Sequence, residues 1–380
     1  MKRLSFLIKP ASSRCNLRCR YCFYEDVSDK REKKSYGVMS DETAEKLIHA
    51  ACEESGKGGE LHFAFQGGEP TLAGLDFFRR FVLRAESCAQ GRQRVSFSIQ
   101  TNGTLLDDAW AAFFKEKRFL VGLSVDGDRG LHDLNRVDAN GKGSWSDAVR
   151  ALRCLQKYEV DVNLLCVVTG SCARHPQQVY GALKRLGVRY LQFIPCLDPI
   201  GEERGREKFS LTPEAYGSFL CRLFDAWYDD WKNGRYCSIR QFDDYVHLLT
   251  GGEVSACTAS GHCGRYLVVE ADGGLYPCDF YVLDPWRLGT VGEEPLASVI
   301  GGQTERRFLA EGERRPDGCR DCRWFPICRG GCKRDWIQRE GETVNYFCEA
   351  YRRFFSHSIT RLREIAAAEL EYEAATASKK

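Results

Sequence analysis

The sequence predicts an α/β chain, a partial (β/α)6 TIM-like barrel followed by a cysteine-rich domain of different character. Three observations predict it. Apolar runs of strand length alternate with helix-length amphipathic segments through the first 235 residues. Six such units are found, short of the eight that close a barrel, so one side is expected to stay open. After Trp231 the rhythm stops and glycine and cysteine become dense. The expected division is 1–235 for the partial barrel, 236–350 for the cysteine-rich domain and 351–380 for a C-terminal helix and tail.

The expected strands are Leu4–Lys9, Leu61–Gln66, Val95–Gln100, Leu120–Asp126, Val162–Thr169 and Tyr190–Cys196. The expected helices are Asp41–Glu54, Leu75–Ala89, Asp107–Lys117, Ser146–Tyr158, Pro176–Leu186 and Thr212–Trp231. The last opens with Thr212-Pro213-Glu214, a capping threonine with proline in the first turn. Gly201–Arg206 reads as a solvated charged loop, and Ala366–Lys380 as a polar helix that frays at Lys379-Lys380.

Composition narrows the classes. The 380 residues are 43% hydrophobic, enough for a sizeable core, and the net charge is +2. That balance gives no electrostatic case for nucleic acid. No stretch approaches the apolar length of a membrane span. The start, MKRLSFLIKP, is too short in apolar residues for a secretory signal. Nineteen cysteines in such a chain point to a reducing cytoplasm, with thiols as metal ligands or free groups and not disulfides.

Chemistry is expected at the C-terminal ends of barrel strands. After the first strand stand Cys15, Cys19 and Cys22, spaced C-x3-C-x2-C. Three thiolates on one short loop can hold a 4Fe–4S cluster and leave its fourth iron open to another ligand. The other readings are unrelated thiols or a zinc knuckle; zinc would want a fourth ligand, and His49 and Cys52 lack knuckle spacing. The second strand ends in Gln66-Gly67-Gly68-Glu69-Pro70, where paired glycines allow close backbone approach. The third ends in Thr101-Asn102-Gly103 and the fourth in Ser124-Val125-Asp126-Gly127, both also ordinary turn sequences.

The C-x3-C-x2-C spacing followed by Phe23 and Tyr24, together with the GGEP segment, resembles the radical S-adenosylmethionine enzymes. The resemblance implies that the open iron chelates S-adenosylmethionine and that cleavage yields a 5′-deoxyadenosyl radical. It implies cofactor contacts at Tyr21, inside the cluster loop, and at Gly68, whose backbone would receive the methionine ammonium. Ser124 and Arg136 would meet the ribose or carboxylate, and Leu197 would cover the adenine. Fixed guanidinium is well suited to a carboxylate.

Downstream, Cys319, Cys322, Cys328, Cys332 and Cys348 follow C-x2-C-x5-C-x3-C-x15-C, preceded by Cys257 and by Cys263-x9-Gly273-x4-Cys278. This resembles the SPASM extension, which implies two further 4Fe–4S clusters and three in all. One would be held by Cys257, Cys263, Cys278 and Cys332, the other by Cys319, Cys322, Cys328 and Cys348. Two four-cysteine zinc sites are the alternative. Cys52, Cys88, Cys154, Cys166, Cys172, Cys196, Cys221 and Cys237 lack ligand spacing and read as small buried hydrophobes.

Several longer stretches, IKPASSRCNLRCRYCFY, FAFQGGEPTLAG, QTNGT, LQFIPCLDP and YPCDFYVLDPWRLG, resemble one subgroup, the anaerobic sulfatase-maturating enzymes. That implies oxidation of a Cys or Ser in a Cys/Ser-x-Pro-x-Arg motif of an unfolded or nascent sulfatase to Cα-formylglycine. The radical would take a hydrogen from the target Cβ, Asp279 would take the thiol or hydroxyl proton, and the electron would leave through the auxiliary clusters to a flavodoxin- or ferredoxin-like carrier. Asp279 follows Cys278 directly, where burial and an anionic neighbour both favour its protonated form. Tyr24 and Gln66 are expected to hold the peptide. Another SPASM peptide maturase, thioether-forming or epimerising, is the second reading, and a non-catalytic iron–sulfur electron carrier the third.

Overall fold

The computed structural model describes residues 2–264 and 266–377. Lys379 and Lys380, where fraying is expected, lie outside the described residues. Six parallel strands form the barrel wall: β1 (Arg3–Ile8), β2 (Glu60–Phe65), β3 (Arg94–Thr101), β4 (Leu120–Ser124), β5 (Asp161–Val168) and β6 (Tyr190–Pro195). They pair in sequence order, β1 with β2 from Arg3↔Glu60 to Ile8↔Phe65 and so on to β5 with β6.

Patterning explains the wall. In β2 exposure alternates strictly, with Leu61, Phe63 and Phe65 turned into the core. There Phe63, Phe65, Phe97 and Phe119 stack at centroid distances of 5.3–6.2 Å, with Phe78 and Phe81 edge-on from the helix Leu75–Ala89. Each buried phenylalanine contributes about 1.5–3 kcal/mol. Three of the barrel helices begin at side-chain caps: Ser40 accepts from the Thr43 amide, Asp107 from Trp110 and Thr212 from Ala215. Two short helices escape the sequence pattern, Phe23–Asp29 and Arg129–Asn135, each too brief for a visible period.

The sheet does not end with the sixth unit. Beyond β6, β7 (Ser238–Ile239) adds a parallel strand. On the other edge β8 (Leu267–Val269) runs parallel to β1, pairing Phe6↔Leu267 through Ile8↔Val269. It then turns back into β9 (Gly274–Tyr276), and β10 (Gly289–Thr290) follows. The ten-stranded order is β10-β9-β8-β1-β2-β3-β4-β5-β6-β7. The cysteine-rich region is therefore grafted onto the edge of the barrel beside its first strand.

The C-terminal helix spans Cys348–Ala377 and is not peripheral at its start. Phe354 stacks on Phe242 at 5.5 Å and meets Phe224 edge-on at 5.7 Å. The 201–206 loop is exposed at every position but Arg204, so the solvated reading fails at that residue alone. Arg204 is buried, ion-paired to Asp335 at 3.1 Å and Asp198 at 3.3 Å, and lies 4.6 Å above the Tyr346 ring. Its charge is absorbed by the cysteine-rich region, which pulls the loop inward.

Candidate active site

The three-cysteine loop leaves β1 and is clamped from beneath by the glycine turn. The Gly68 amide donates to the Ser12 carbonyl at 3.0 Å and the Glu69 amide to Arg14 at 2.8 Å. A Cβ on Gly68 would stand 2.1 Å from the Arg14 carbonyl oxygen. Gly67, at φ +121°, would bring a Cβ to 3.0 Å from the Ser12 carbonyl oxygen. The glycines are thus required by the loop that carries Cys15, a closer partner than any ligand.

Glu69 was not foreseen as a site residue. Buried under the turn, it accepts from Thr71 Oγ1 at 2.6 Å, Thr101 Oγ1 at 2.7 Å and the Asn102 amide at 2.8 Å. Asn102 in turn donates to Asn16 at 2.9 Å and lies 3.8 Å from Cys15 Sγ. The turn after β2 and the turn after β3 are therefore tied through one carboxylate to the ligand loop.

Asp126 is a second unforeseen hub. It is 1% exposed and accepts from Arg136 Nε at 2.9 Å, Arg136 Nη2 at 3.3 Å, the Val167 amide at 2.9 Å and the Tyr21 hydroxyl. Arg136, expected to be free for a cofactor carboxylate, has that edge occupied by Asp126; its guanidinium also lies 5.5 Å from the Tyr21 ring centroid. Burial pushes the His132 pKa down to about 4, so the ring is neutral; Nδ1 accepts from the Asp126 amide, which leaves Nε2 to donate to Ser144. Ser124 accepts from Gln100 at 3.0 Å, and Leu197 is half-buried after β6.

Asp279 comes from the far region of the chain into the same neighbourhood. Tyr24, two residues past the last loop cysteine, donates to its Oδ2 at 3.1 Å, and Tyr266 to its Oδ1 at 2.8 Å. Tyr24 also bonds the Gln66 side chain, so these three expected residues are brought together. Burial raises the Asp279 pKa against the opposing pull of Tyr266, Tyr24 and Lys9. Lys9 Nζ lies 5.4 Å from the Tyr24 ring centre and is paired with the buried Glu270 at 3.1 Å; Arg31 meets the same carboxylate at 2.6 Å. Tyr266 had no sequence signal, because its role exists only once β8 lies beside β1.

None of the eleven expected ligand thiols is in a disulfide, and all are partly buried. Burial pushes Cys15 up to about 12 and Cys19 to about 11, so the bare thiols are neutral and a bound cation must supply the charge that deprotonates them. The eight downstream thiols sort into two groups. Cys278 interacts with Cys257 and Cys332, and Cys332 with Cys257 and Cys263. Cys328 interacts with Cys319, Cys322 and Cys348. These are the two sets that the resemblance implies. All-thiolate donor sets suit iron–sulfur clusters or zinc. Among the described residues no three His, Cys, Asp or Glu side chains converge on a point where a single metal ion could sit.

The chain was compared with known proteins. Residues 10–179 match the radical SAM superfamily and 257–323 an iron–sulfur cluster-binding domain. A cysteine-type anaerobic sulfatase-maturating enzyme of Clostridium perfringens is 44% identical over 368 residues, covering 96% of this chain and 99% of the relative. The chain belongs to the anaerobic sulfatase-maturating enzymes. A serine-type sulfatase-maturating enzyme of Klebsiella aerogenes is more distant, at 35% identity over 94% of this chain and 85% of its own length. A solved structure described as native anSMEcpe with bound AdoMet and Cp18Cys peptide superimposes with a TM-score of 0.91 at 43% identity, over 96% of this chain and 99% of that one. Membership of the sulfatase-maturating family accounts for the partial barrel and the cysteine-rich graft together.

Proposed function

We propose that this sulfatase-maturating enzyme oxidises the cysteine of a Cys-x-Pro-x-Arg motif, in an unfolded or nascent sulfatase, to Cα-formylglycine. The observation that carries the reading is the 3.1 Å hydrogen bond from Tyr24 to Asp279, between residues 255 apart in sequence. It sets a buried carboxylate next to the cysteine loop, where a proton acceptor is needed. Cysteine as the target is favoured by the higher identity to the cysteine-type relative, 44% against 35% for the serine-type one.

Cys15, Cys19 and Cys22 hold the cluster that binds S-adenosylmethionine, and the two downstream sets hold one 4Fe–4S cluster each. The match of residues 257–323 to an iron–sulfur cluster-binding domain supports clusters over zinc. When bound, these groups supply hydrogen-atom abstraction at the target Cβ and a route for the electron that leaves. The chain does the rest. The Gly68 carbonyl receives the cofactor ammonium, its amide being used by Ser12. Ser124 and the edge of Arg136 not taken by Asp126 meet the cofactor carboxylate, Tyr21 backs them, and Leu197 covers the adenine. Tyr24 and Gln66 hold the peptide so that the target carbon is the nearest one. Asp279 takes the thiol proton. A thioaldehyde then hydrolyses to the aldehyde.

An external one-electron carrier of flavodoxin or ferredoxin type completes the circuit, and cysteines outside disulfides suit the cytoplasm. Anaerobic incubation with short Cys- and Ser-motif peptides tests the reading by mass spectrometry. Formylglycine is expected from the cysteine peptide, in step with 5′-deoxyadenosine. A thioether or an epimerised residue would establish another SPASM maturase instead.

A further inference from the structure

We propose that Lys333 is a positioning residue: a fixed counter-charge to the first auxiliary cluster that holds its reduction potential high enough to accept the substrate's electron. The proposal rests on the reading above, in which Cys257, Cys263, Cys278 and Cys332 hold that cluster.

Lys333 follows Cys332 directly, yet its side chain is only 6% exposed. It is enclosed by aromatic rings from three separate segments. The Nζ lies 3.4 Å from the ring centre of Phe308, 4.8 Å from Tyr281 and 5.0 Å from Trp286. Phe308 belongs to the helix Gln303–Glu313, and Tyr281 closes the turn that begins at Asp279. The Phe308 ring meets Tyr281 and Trp286 edge-on at 5.3 and 5.2 Å, so the rings also brace one another. The ammonium donates to the Phe308 carbonyl at 3.2 Å.

A buried ammonium is costly without a partner. Its one carboxylate contact is Glu311, at a long 3.4 Å and 43% exposed, a weak and water-screened partner. An uncharged side chain would fill the same aromatic enclosure more cheaply. The missing anion lies on the other side of the stem. A Cβ placed on Gly312 would stand 2.8 Å from Cys263 Sγ and 3.9 Å from Lys333 Cδ, which puts the ligand sulfur and the lysine stem against one glycine. Burial lowers the Lys333 pKa, and Glu311, Cys263 and Cys278 pull it back up, so the charge is held by these anionic neighbours. One proposed ligand, Cys332, precedes Lys333 in sequence and a second, Cys263, shares the Gly312 surface with its stem. Four thiolates on an iron–sulfur core carry a net negative charge that grows on reduction. A fixed cation at this position favours the reduced form and raises the potential.

The step it serves balances as follows. The substrate carbon radical, R–CH•–SH, gives one electron to the oxidised cluster and one proton to Asp279, leaving R–CH=S. The cluster gains one electron and no proton, so its affinity for negative charge sets how readily the step runs.

The test is a potentiometric titration, followed by electron paramagnetic resonance, of reconstituted Cys15→Ala/Cys19→Ala/Cys22→Ala protein, which retains only the downstream clusters. In that background Lys333→Met is expected to lower one of two midpoints by at least a tenfold change in its reduction equilibrium, about 59 mV for a one-electron couple. Glu311→Gln, on a half-exposed side chain, is expected to move the same midpoint upward, because it removes a negative charge from the ammonium. In the otherwise intact enzyme Lys333→Met is expected to raise the ratio of 5′-deoxyadenosine to formylglycine several-fold. Full iron with both midpoints unmoved in Lys333→Met overturns the proposal. If Lys333→Met fails to retain iron, full iron with both midpoints unmoved in Lys333→Gln, which keeps a polar tip and removes the charge, overturns it equally. Absence of iron–sulfur signals from the parent protein would instead overturn the cluster assignment itself.

Discussion

Thiols gather twice in this protein, and the two gatherings are built differently. Cys15, Cys19 and Cys22 share one short loop: the Gly68 and Glu69 amides hold the backbone that enters it, Asn102 bonds Asn16 beside Cys15, and Asp126 takes the Tyr21 hydroxyl. The downstream ligands are scattered. Cys257 opens a four-residue helix, Cys278 precedes a single 3-10 turn, Cys328 ends another four-residue helix and Cys348 starts the long C-terminal one. The first gathering is tied to the strand ends of the sheet by hydrogen bonds of the protein itself. The second has little regular structure of its own and leans on its ligands for order, as small metal-dependent units do.

The largest expected effect breaks the comparison at its first term. Replacing Cys15, Cys19 and Cys22 with alanine is expected to abolish 5′-deoxyadenosine formation and remove about a third of the iron, by cluster stoichiometry. The thermal transition should barely move, because the sheet holds the loop. Replacing Cys319 and Cys348 is expected to do the reverse, exposing residues 257–348 to limited proteolysis while the barrel stays resistant. Equal protease sensitivity in the two variants would dissolve the distinction.

Asp279 is the point where the two regions meet, and it is the proposed base. Asp279→Asn keeps the volume and removes the base. Formylglycine formation is expected to fall by the general-base factor, roughly a hundred- to ten-thousand-fold. Cofactor cleavage should continue, since the residue donates no group to it. Wild-type formylglycine output from this variant would return Asp279 to a structural role.

Glu270 joins the regions mechanically. Lys9 and Arg31 from the barrel both pair with it, and all three side chains are at most 1% exposed. Burial pushes its carboxyl up, but Lys9, Arg31 and the Ala271 amide overcome this and hold the pKa down at about 2. A depressed carboxyl contributes stability that is complete above its unfolded value of about 4.3 and is lost as pH falls toward 2. Stability is therefore expected to be flat from pH 6 to 8 on this account. Glu270→Gln leaves two buried cations poorly compensated and is expected to cost about 3–5 kcal/mol. Denaturant unfolding at pH 7 measures it, and a cost below about 1 kcal/mol would mean the seam is held by β1–β8 pairing alone.

The same contrast explains what was legible. The six strands and their helices showed in the sequence because hydrophobic periodicity is local, and the C-x3-C-x2-C loop because its ligands are adjacent. Both downstream ligand sets needed a family resemblance, since nothing in linear spacing pairs Cys257 with Cys332. β8 to β10 are two or three residues long, too short to carry a period, so the extended sheet edge was invisible. Asp126 read as a plain turn residue and Arg204 as a solvated one. Each became a buried hub only through partners remote in sequence, Val167 for the first and Asp335 for the second.

The smallest expected effect sharpens the comparison most, because it asks which region holds the base. Asp279 receives one hydroxyl from each: Tyr24 from the ligand-loop side at 3.1 Å and Tyr266 from the β8 side at 2.8 Å. Tyr266 also reaches to 4.0 Å from Cys278 Sγ, so it fixes the carboxylate relative to the auxiliary site. Tyr24 instead bonds Gln66, the pair proposed to hold the peptide. A hydrogen bond to a charged group contributes about 1.5–3 kcal/mol, but the second tyrosine remains to hold the carboxylate, so the lower end applies. Tyr266→Phe is therefore expected to cut kcat for formylglycine about tenfold with KM for the peptide unchanged. Tyr24→Phe is expected to raise KM as well, since it loosens Gln66 and the peptide with it. Steady-state kinetics on the cysteine peptide separates them. Identical kcat and KM changes in the two variants would mean that the tyrosines act as one unit, and that the base is not divided between the regions.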